Sequence, residues 1–243
     1  MGGFHMVLPR EHGTWMMFFL PYLLGMILSG PNWLHLVLLI GWFFIFLTST
    51  PLLNIIRKPK LKKDMLPWVL KYSTAAILFT VPIIWMQPIL LWGIFLLLPL
   101  LFVSRYFIKK KQERSLWNNL SGILIFSLGG TAAYIVGQGS LTKEAILLLC
   151  ITTLYFMSSA FYVKSLIRER KNPAFKRKSH IFHLLLLLFP LLIALPWMTI
   201  AYLPSVCKDF FTTRKRPIKP LRIGIIEIIN GIVFFLVSLF FLK

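Results

Sequence analysis

Residues 145–163 read AILLLCITTLYFMSSAFYV, and the chain passes from them without a break into residues 164–173, KSLIRERKNP. An apolar run of about 20 residues is long enough to cross roughly 30 Å of hydrocarbon as an α-helix. We therefore predict a membrane-spanning helix that continues beyond its apolar core into a strongly charged segment. This junction is the first place to look for a polar site.

The composition of the whole chain agrees with this interpretation. Of its 243 residues, 58% are hydrophobic, and the mean hydropathy is +0.78. A water-soluble domain of this size could not bury so much apolar surface, and the apolar runs lack the short alternation of barrel strands. We predict an all-α, polytopic membrane bundle of about nine transmembrane helices. The predicted spans are residues 14–29, 33–56, 68–86, 89–107, 116–136, 145–163, 181–195, 197–211 and 223–242.

Basic residues concentrate in alternate connectors. Of the 27 Lys and Arg, only Lys143 and Lys243 fall on the side of the membrane opposite to these basic connectors. The positive-inside rule then places the basic connectors and the amino terminus in the cytoplasm, and the carboxyl terminus outside a bacterial cytoplasmic membrane. Residues 181–211 lie between two basic connectors and must cross an even number of times. We predict two short helices that turn near Pro196, with a re-entrant hairpin as the alternative.

The net charge of +20 would suggest a nucleic-acid partner if the protein were soluble. In a membrane protein, topology and attraction to anionic lipid head groups account for most of it. We therefore predict the lipid bilayer, and no nucleic acid, as a partner. The basic runs 109–111, 176–178 and 214–216 are interpreted as topology anchors, and His35, His180 and His183 as interfacial residues.

Two stripes of polar residues lie near the predicted cytoplasmic surface. Spacings of three and four place the members of each stripe on one helix face. Taken singly, such residues can also snorkel to the lipid head groups, whereas two matching stripes favour a binding role. The stripes are Thr50, Asn54 and Arg57 on the second span and Ser158, Tyr162, Ser165 and Glu169 on the sixth, beside the pair Lys164 and Arg168.

Two further groups lie on the same side. Glu11 and His12 are a candidate acid and base, although Arg10 and Glu11 could equally form an interfacial ion pair. On the ninth span, Glu227 lies five residues beyond Arg222, which is roughly 7 Å deeper in the membrane. No other acid is assigned to a span interior. A carboxylate at that depth needs a basic partner from a neighbouring helix, or a proton.

The chain is predicted to form one membrane domain. Residues 49–59 and 158–173 both run from serine through Ile-Arg to proline at the start of a basic loop. This similarity suggests two four-helix halves, 14–107 and 116–211, followed by a final helix at 223–242.

Three motifs resemble the YwiC-like family of bacterial membrane proteins, over essentially the whole chain. They are PREHGTW at residues 9–15, FYVK to RER at residues 161–170, and IGIIE at residues 223–227. The first motif is the most specific. That family carries no assigned biochemical activity, so the resemblance leaves the function open.

A more distant resemblance is to the UbiA superfamily of intramembrane prenyltransferases. It implies nine helices, a cytoplasmic amino terminus, and a cytoplasm-facing cavity with polar motifs at the ends of the second and sixth helices. UbiA proteins hold a prenyl diphosphate through magnesium bound by Asp-rich motifs. This chain instead has Arg and Lys around Asn54 and after Arg168, where Asp64 and Glu169 are the only nearby acids.

Arg and Lys bind phosphate directly, whereas carboxylates bind it only through a divalent cation. We therefore expect a cationic cavity that holds a prenyl diphosphate or another anionic lipid, in a UbiA-like prenyltransferase or degenerate relative. No cofactor is predicted, although magnesium stays open. The alternatives are a transporter or flippase of an anionic metabolite or lipid, and a non-catalytic accessory subunit. The candidate residues are Glu11, His12 and Glu227 for catalysis, and Arg10, Asn54, Arg57, Tyr162, Lys164, Arg168, Glu169, Arg170 and Arg222 for substrate binding.

Overall fold

A computed structural model describes residues 12–243, and within that range the chain forms nine α-helices and no strand. The predicted all-α bundle is confirmed. The helices are α1 His12–Ser29, α2 Trp33–Arg57, α3 Lys62–Met86, α4 Leu91–Lys109, α5 Leu116–Gln138, α6 Lys143–Ile167, α7 Pro173–Leu192, α8 Thr199–Phe211 and α9 Pro220–Leu242. Helix α6 carries its helical backbone past the apolar run to Ile167, as the opening segment of the sequence predicts.

Six helices of the described range are long and apolar enough to cross a membrane, namely α2 to α6 and α9. The protein is therefore a multi-pass membrane protein. Helices α7 and α8 are separate and turn through a short 3-10 helix at Pro196–Met198, at the predicted position. The 13 residues of α8 extend about 20 Å, less than the hydrocarbon thickness. The crossing of the membrane by α7 and α8 therefore stays a prediction.

Helices α1 and α5 pack with their backbones in close approach. A Cβ atom on Gly25 would lie 2.1 Å from the Gly130 carbonyl oxygen, and one on Gly130 would lie 2.4 Å from the Pro21 carbonyl oxygen. Small residues permit such contacts between membrane helices, where dispersion contacts and not burial from water drive association. This contact joins α1, in the first predicted half, to α5, in the second.

The two predicted halves pack differently. In the first, α2 packs mainly on α3, and α4 packs on α5. In the second, α5, α6 and α7 each pack on the next helix in the chain, and the final helix α9 packs on α8 and on α1. Helix α6 is more enclosed than α4, because 56% of the apolar window of α6 is buried and only 6% of that of α4. A polar cluster protected from lipid is therefore expected beside α6.

Buried hydrogen bonds secure the end of the bundle where α1 and α5 finish. The His35 side chain is buried, and its Nε2 atom lies 2.9 Å from the carbonyl oxygen of Ala133 on α5. The hydroxyl of Tyr22 on α1 donates to the His35 carbonyl at 2.5 Å. His35 therefore links α1, α2 and α5 at the end of the bundle opposite to the basic connectors, and it is a buried residue and not the interfacial one that the sequence predicted.

Candidate functional site

The basic connectors meet at one end of the bundle, which we call the basic face. Three hydrogen bonds join helix ends and connectors that are distant in sequence. They run from Arg57 Nη2 to Glu113 Oε2 at 2.6 Å, from Lys164 Nζ to the Arg114 carbonyl at 3.1 Å, and from Arg170 Nη1 to the Lys215 carbonyl at 3.2 Å. Residues 110–115 therefore contact the first predicted polar stripe and Lys164, beside the second.

The first stripe ends in an exposed ion pair. Arg57 Nε donates to both carboxylate oxygens of Glu113 at 3.1 and 2.9 Å, and its Nη1 atom donates to Asn54 Oδ1 at 3.3 Å. The side chain of Asn118 holds the Glu113 carbonyl at 2.6 Å. The structure thus brings Asn54 and Arg57 together, but the guanidinium fork is occupied by a carboxylate of the same chain.

The second stripe divides into a buried part and an outer part. Tyr162 is fully buried, and its hydroxyl lies 2.9 Å from Thr212 Oγ1. Lys164 is half-buried, and its ammonium lies 5.5 Å from the centre of the Phe175 ring. The three remaining predicted residues of this stretch lie at the rim: Arg168 is exposed, Glu169 accepts from Asn172 at 2.8 Å, and Arg170 binds the Lys215 carbonyl.

Glu227 has the basic partner that its predicted depth requires. Lys208 Nζ on α8 lies 2.5 Å from Glu227 Oε1, and Ser159 on α6 also donates to this carboxylate. The ammonium lies 4.8 Å from the centre of the Tyr162 ring, in cation–π contact. We call Lys208 and Glu227 the intramembrane pair, since their side chains are only 8% and 17% exposed.

Polar contacts continue one helical turn deeper along α9. Asn230 Nδ2 donates to the Tyr155 hydroxyl and to Ser205 Oγ, each at 2.9 Å. Beyond it, the Phe234 ring stacks on Tyr155 with 3.9 Å between ring centroids, and both side chains are buried. The polar region therefore ends at this aromatic layer.

A second buried carboxylate, Asp209 on α8, collects donors from α7 and from the α8–α9 connector. It accepts from Ser179 Oγ at 2.9 Å, from His180 Nδ1 at 2.7 Å and from Arg214, while His183 Nδ1 lies 3.4 Å away. We call these five residues the Asp209 cluster. Its carboxylate is fully buried, as is the His183 side chain.

The Asp209 cluster corrects three interpretations of the sequence. Asp209 lies in α8, so Glu227 is not the sole acid within a predicted span. Arg214 is not a topology anchor, because it is buried, paired with Asp209 and donates to Ser165 Oγ at 3.1 Å. His183 is a core residue and not an interfacial one. The signal that could have identified the cluster is an acid in a strongly basic stretch, five residues before an arginine.

An open cleft of about 470 Å³ lies on the basic face above this cluster. Its lining includes five basic residues and no acid. Phe210 and Phe211 supply an apolar edge, and Phe211 is highly exposed. The basic lining residues are Arg170, Lys171, Lys176, Arg214 and Lys215.

Of the predicted site residues that the structure describes, Arg170 alone lines this cleft. Arg222 is exposed at the start of α9 and does not line it. Arg10 and Glu11 lie outside the described residues, as does the side chain of His12. Within residues 12–243, no group of three or more His, Cys, Asp or Glu is arranged to hold a metal ion.

Comparison with known proteins identifies relatives along nearly the whole chain. The family model described as YwiC-like protein matches residues 8–134. The protein YwiC of Bacillus subtilis is 38% identical over 237 residues, which cover 97% of this chain and 98% of that protein. A Haemophilus influenzae protein is 34% identical over 234 residues, covering 96% and 98%. Both relatives are described as uncharacterized, and no solved structure matches.

Proposed function

The chain belongs to the YwiC-like family, and from that premise we propose that this multi-pass membrane protein binds the anionic head group of an isoprenoid or similar lipid at its basic face. The positive-inside rule puts this face in the cytoplasm of the bacterial cell. The lipid tail then extends along the apolar helices. Direct contacts from Arg and Lys replace the metal ions that a carboxylate-lined site would need.

One observation carries the proposal: the cleft on the basic face has five cationic lining residues and no acidic one. Like charges crowded in one cleft repel each other, and an anion bound among them removes that repulsion. Arg170 can bind two phosphate oxygens with its planar fork, whereas Lys171 and Lys176 act as point charges. Exposed Phe211 provides an apolar contact for the first carbons of the tail.

Within this function, we favour a UbiA-like prenyltransferase or a degenerate relative. The nine helices and the polar stripes at the ends of α2 and α6 support this reading. In such an enzyme, Arg57, Lys164, Arg168 and Arg170 hold a diphosphate as the leaving group. Glu11, His12 or Glu227 transfers the proton.

A second candidate function is transport of an anionic lipid or metabolite between the two sides of the membrane. The intramembrane pair supports it, because charged residues inside a bundle commonly mark ion and substrate pathways. The halves 14–107 and 116–211 would then move against each other. The aromatic layer at Phe234 would have to open in that motion.

The test is binding of farnesyl diphosphate and farnesol to the protein in lipid nanodiscs. We expect the diphosphate to bind and the alcohol to bind much more weakly. Arg170→Ala and Lys176→Ala should each weaken diphosphate binding about tenfold, which is the loss of one charge-assisted contact. Lys143→Ala, an exposed lysine at the other end of α6, is the matched control and should change nothing. Equal binding of alcohol and diphosphate would refute the proposal.

Lipid mass spectrometry of membranes with and without the protein separates the two candidate functions. An enzyme leaves an accumulated precursor and a missing product when it is deleted. A transporter leaves the lipid composition intact and changes only its distribution between leaflets.

A further inference from the structure

We propose that the cleft holds a phosphoryl group at the amino-terminal end of α7, where Thr212 and Arg214 donate hydrogen bonds to its oxygens. This inference rests on the proposed function for the place of the ligand, and it adds the chemical class of the head group and two residues that select it. Both residues line the cleft. The sequence patterns selected neither of them as a site residue.

The hydroxyl of Thr212 has a hydrogen to donate. Its oxygen lies 2.9 Å from the hydroxyl of Tyr162, which is fully buried and makes no other hydrogen bond to a described residue. A buried O–H without an acceptor is costly, so the Tyr162 hydroxyl donates to Thr212. The Thr212 oxygen accepts in this bond, and its own hydrogen stays free. Because Thr212 lines the cleft, an oxygen of a ligand there can accept that hydrogen.

Arg214 also has one donor left over. Its Nη1 atom donates to the Thr212 carbonyl at 2.8 Å and its Nη2 atom to Ser165 Oγ at 3.1 Å. The guanidinium also pairs with Asp209, and the arginine side chain is only 6% exposed. Its Nε atom is buried and has no acceptor among the described residues. A buried donor without a partner is destabilising, and a phosphate oxygen in the cleft supplies the partner.

The other wall of the cleft is the beginning of α7. Asn172 caps this helix by accepting from the Phe175 N–H at 3.1 Å, and Pro173 is its first residue. The first N–H groups of a helix have no partner within it, and the helix dipole is positive at this end, which favours a bound anion. Asn172, Pro173 and Lys176 all line the cleft. A phosphoryl group between the walls therefore meets favourable charge on both sides.

Hydrogen bonds hold the two walls together before a ligand arrives. Ser179 on α7 donates to Asp209 on α8 at 2.9 Å, and Arg170 donates to the Lys215 carbonyl at 3.2 Å. Donors that are already held in place lose little conformational entropy when a ligand binds. The cleft is therefore preorganised for the head group.

These donors fit a phosphoryl group better than a carboxylate. A terminal phosphoryl group offers three strong acceptor oxygens that point in different directions, whereas a carboxylate offers two oxygens in one plane. The cleft has donors in both walls, and none of its lining residues is acidic. Charge alone would attract either anion, so selectivity between the two anions separates this subsite from a merely basic surface.

The experiment is calorimetric titration of the full-length protein in detergent with inorganic diphosphate, citrate and farnesyl diphosphate, in a buffer free of divalent cations. Citrate carries a charge similar to that of diphosphate but binds through carboxylates. We expect diphosphate to bind about tenfold more tightly than citrate, as for one additional charge-assisted hydrogen bond. Equal Kd values of the wild type for diphosphate and citrate would overturn the inference, and this comparison needs no variant.

Substitutions of Thr212 test the hydroxyl itself. Thr212→Val should weaken diphosphate binding about tenfold and leave citrate binding unchanged. Thr212→Ser keeps the hydroxyl and should bind as the wild type does. Thr153→Val, the same chemical change in the middle of α6, is the matched control and should change neither Kd. Unchanged diphosphate binding in a folded Thr212→Val protein would also overturn the inference.

Farnesyl diphosphate separates a failure of this inference from a failure of the proposed function. A wild type that binds farnesyl diphosphate but does not distinguish diphosphate from citrate refutes the subsite alone. A wild type that prefers diphosphate to citrate but does not bind farnesyl diphosphate supports a subsite for free diphosphate and refutes the lipid ligand. Tighter binding of farnesyl diphosphate than of inorganic diphosphate supports both and identifies the ligand as a lipid head group.

Discussion

Arg57–Glu113 and Arg214–Asp209 are both arginine–carboxylate pairs near the basic face, yet their surroundings differ. The side chains of the first are 42% and 31% exposed, and those of the second are 6% and 0% exposed. Exposed pairs contribute about 0–1 kcal/mol, whereas removing one partner of a buried pair costs about 3–5 kcal/mol. The first pair can open for a competing anion, and the second holds α7, α8 and the α8–α9 connector in place.

The largest effect is expected from Asp209→Asn. The change keeps the shape of the side chain but leaves the buried Arg214 guanidinium without its counter-charge. We expect a loss of about 3–5 kcal/mol in the free energy of unfolding, measured by denaturant titration in mixed micelles. Glu113→Gln, the same chemical change in the exposed pair, should cost no more than about 1 kcal/mol. Equal losses of stability in Asp209→Asn and Glu113→Gln would contradict the distinction between the buried and the exposed pair.

An intermediate effect is expected from Lys208→Met, which leaves Glu227 inside the bundle with Ser159 as its remaining donor. We expect a loss of about 3 kcal/mol, as for an isolated charge within a membrane helix. The double variant Lys208→Met, Glu227→Leu should recover most of that loss, because an apolar pair avoids the desolvation of two charges. Failure of the double variant to recover stability would show that the pair positions other residues.

The smallest effect on stability is expected from Arg57→Ala. Unfolding should change by no more than about 1 kcal/mol, because the pair with Glu113 is exposed. Binding of farnesyl diphosphate should nonetheless weaken about tenfold if Arg57 releases Glu113 to hold the head group. Glu113→Gln removes the competing carboxylate and should not weaken binding. Loss of affinity in both variants would assign the pair a purely structural role.

The apolar pattern predicted the helices well, because the length of a run and the cost of exposing backbone polar groups in hydrocarbon leave few alternatives. The break at Pro196 followed from the basic residues on both sides of 181–211. Glu227 was recognised by its depth alone. Its partner Lys208 was not recognised. The packing of α8 between α6 and α9 decides which lysine of the basic stretch points inward, and the sequence pattern does not show that packing.

Asp209 and Arg214 show where the sequence pattern misleads. Both lie in or beside a basic stretch whose lysines and arginines are explained by membrane topology. That explanation places every charged side chain of the stretch in water. In the structure the α8–α9 connector folds back, so that Arg214 lies under the surface and meets Asp209. Tertiary contacts of this kind leave no periodic signal in the sequence.

The division into the halves 14–107 and 116–211, and their movement as units, stays a prediction.

If α7 and α8 cross the membrane as predicted, the hairpin has a consequence for the surrounding lipid. Because α8 is about 20 Å long, a bilayer of ordinary thickness would thin beside this hairpin, or the hairpin would end within the hydrocarbon. In either case the lipid annulus would be asymmetric, with its most deformed sector beside α8 and Phe211. Lipids in that sector would have the shortest path to the cationic side chains, so the shape of the membrane itself would help to deliver head groups to the basic face.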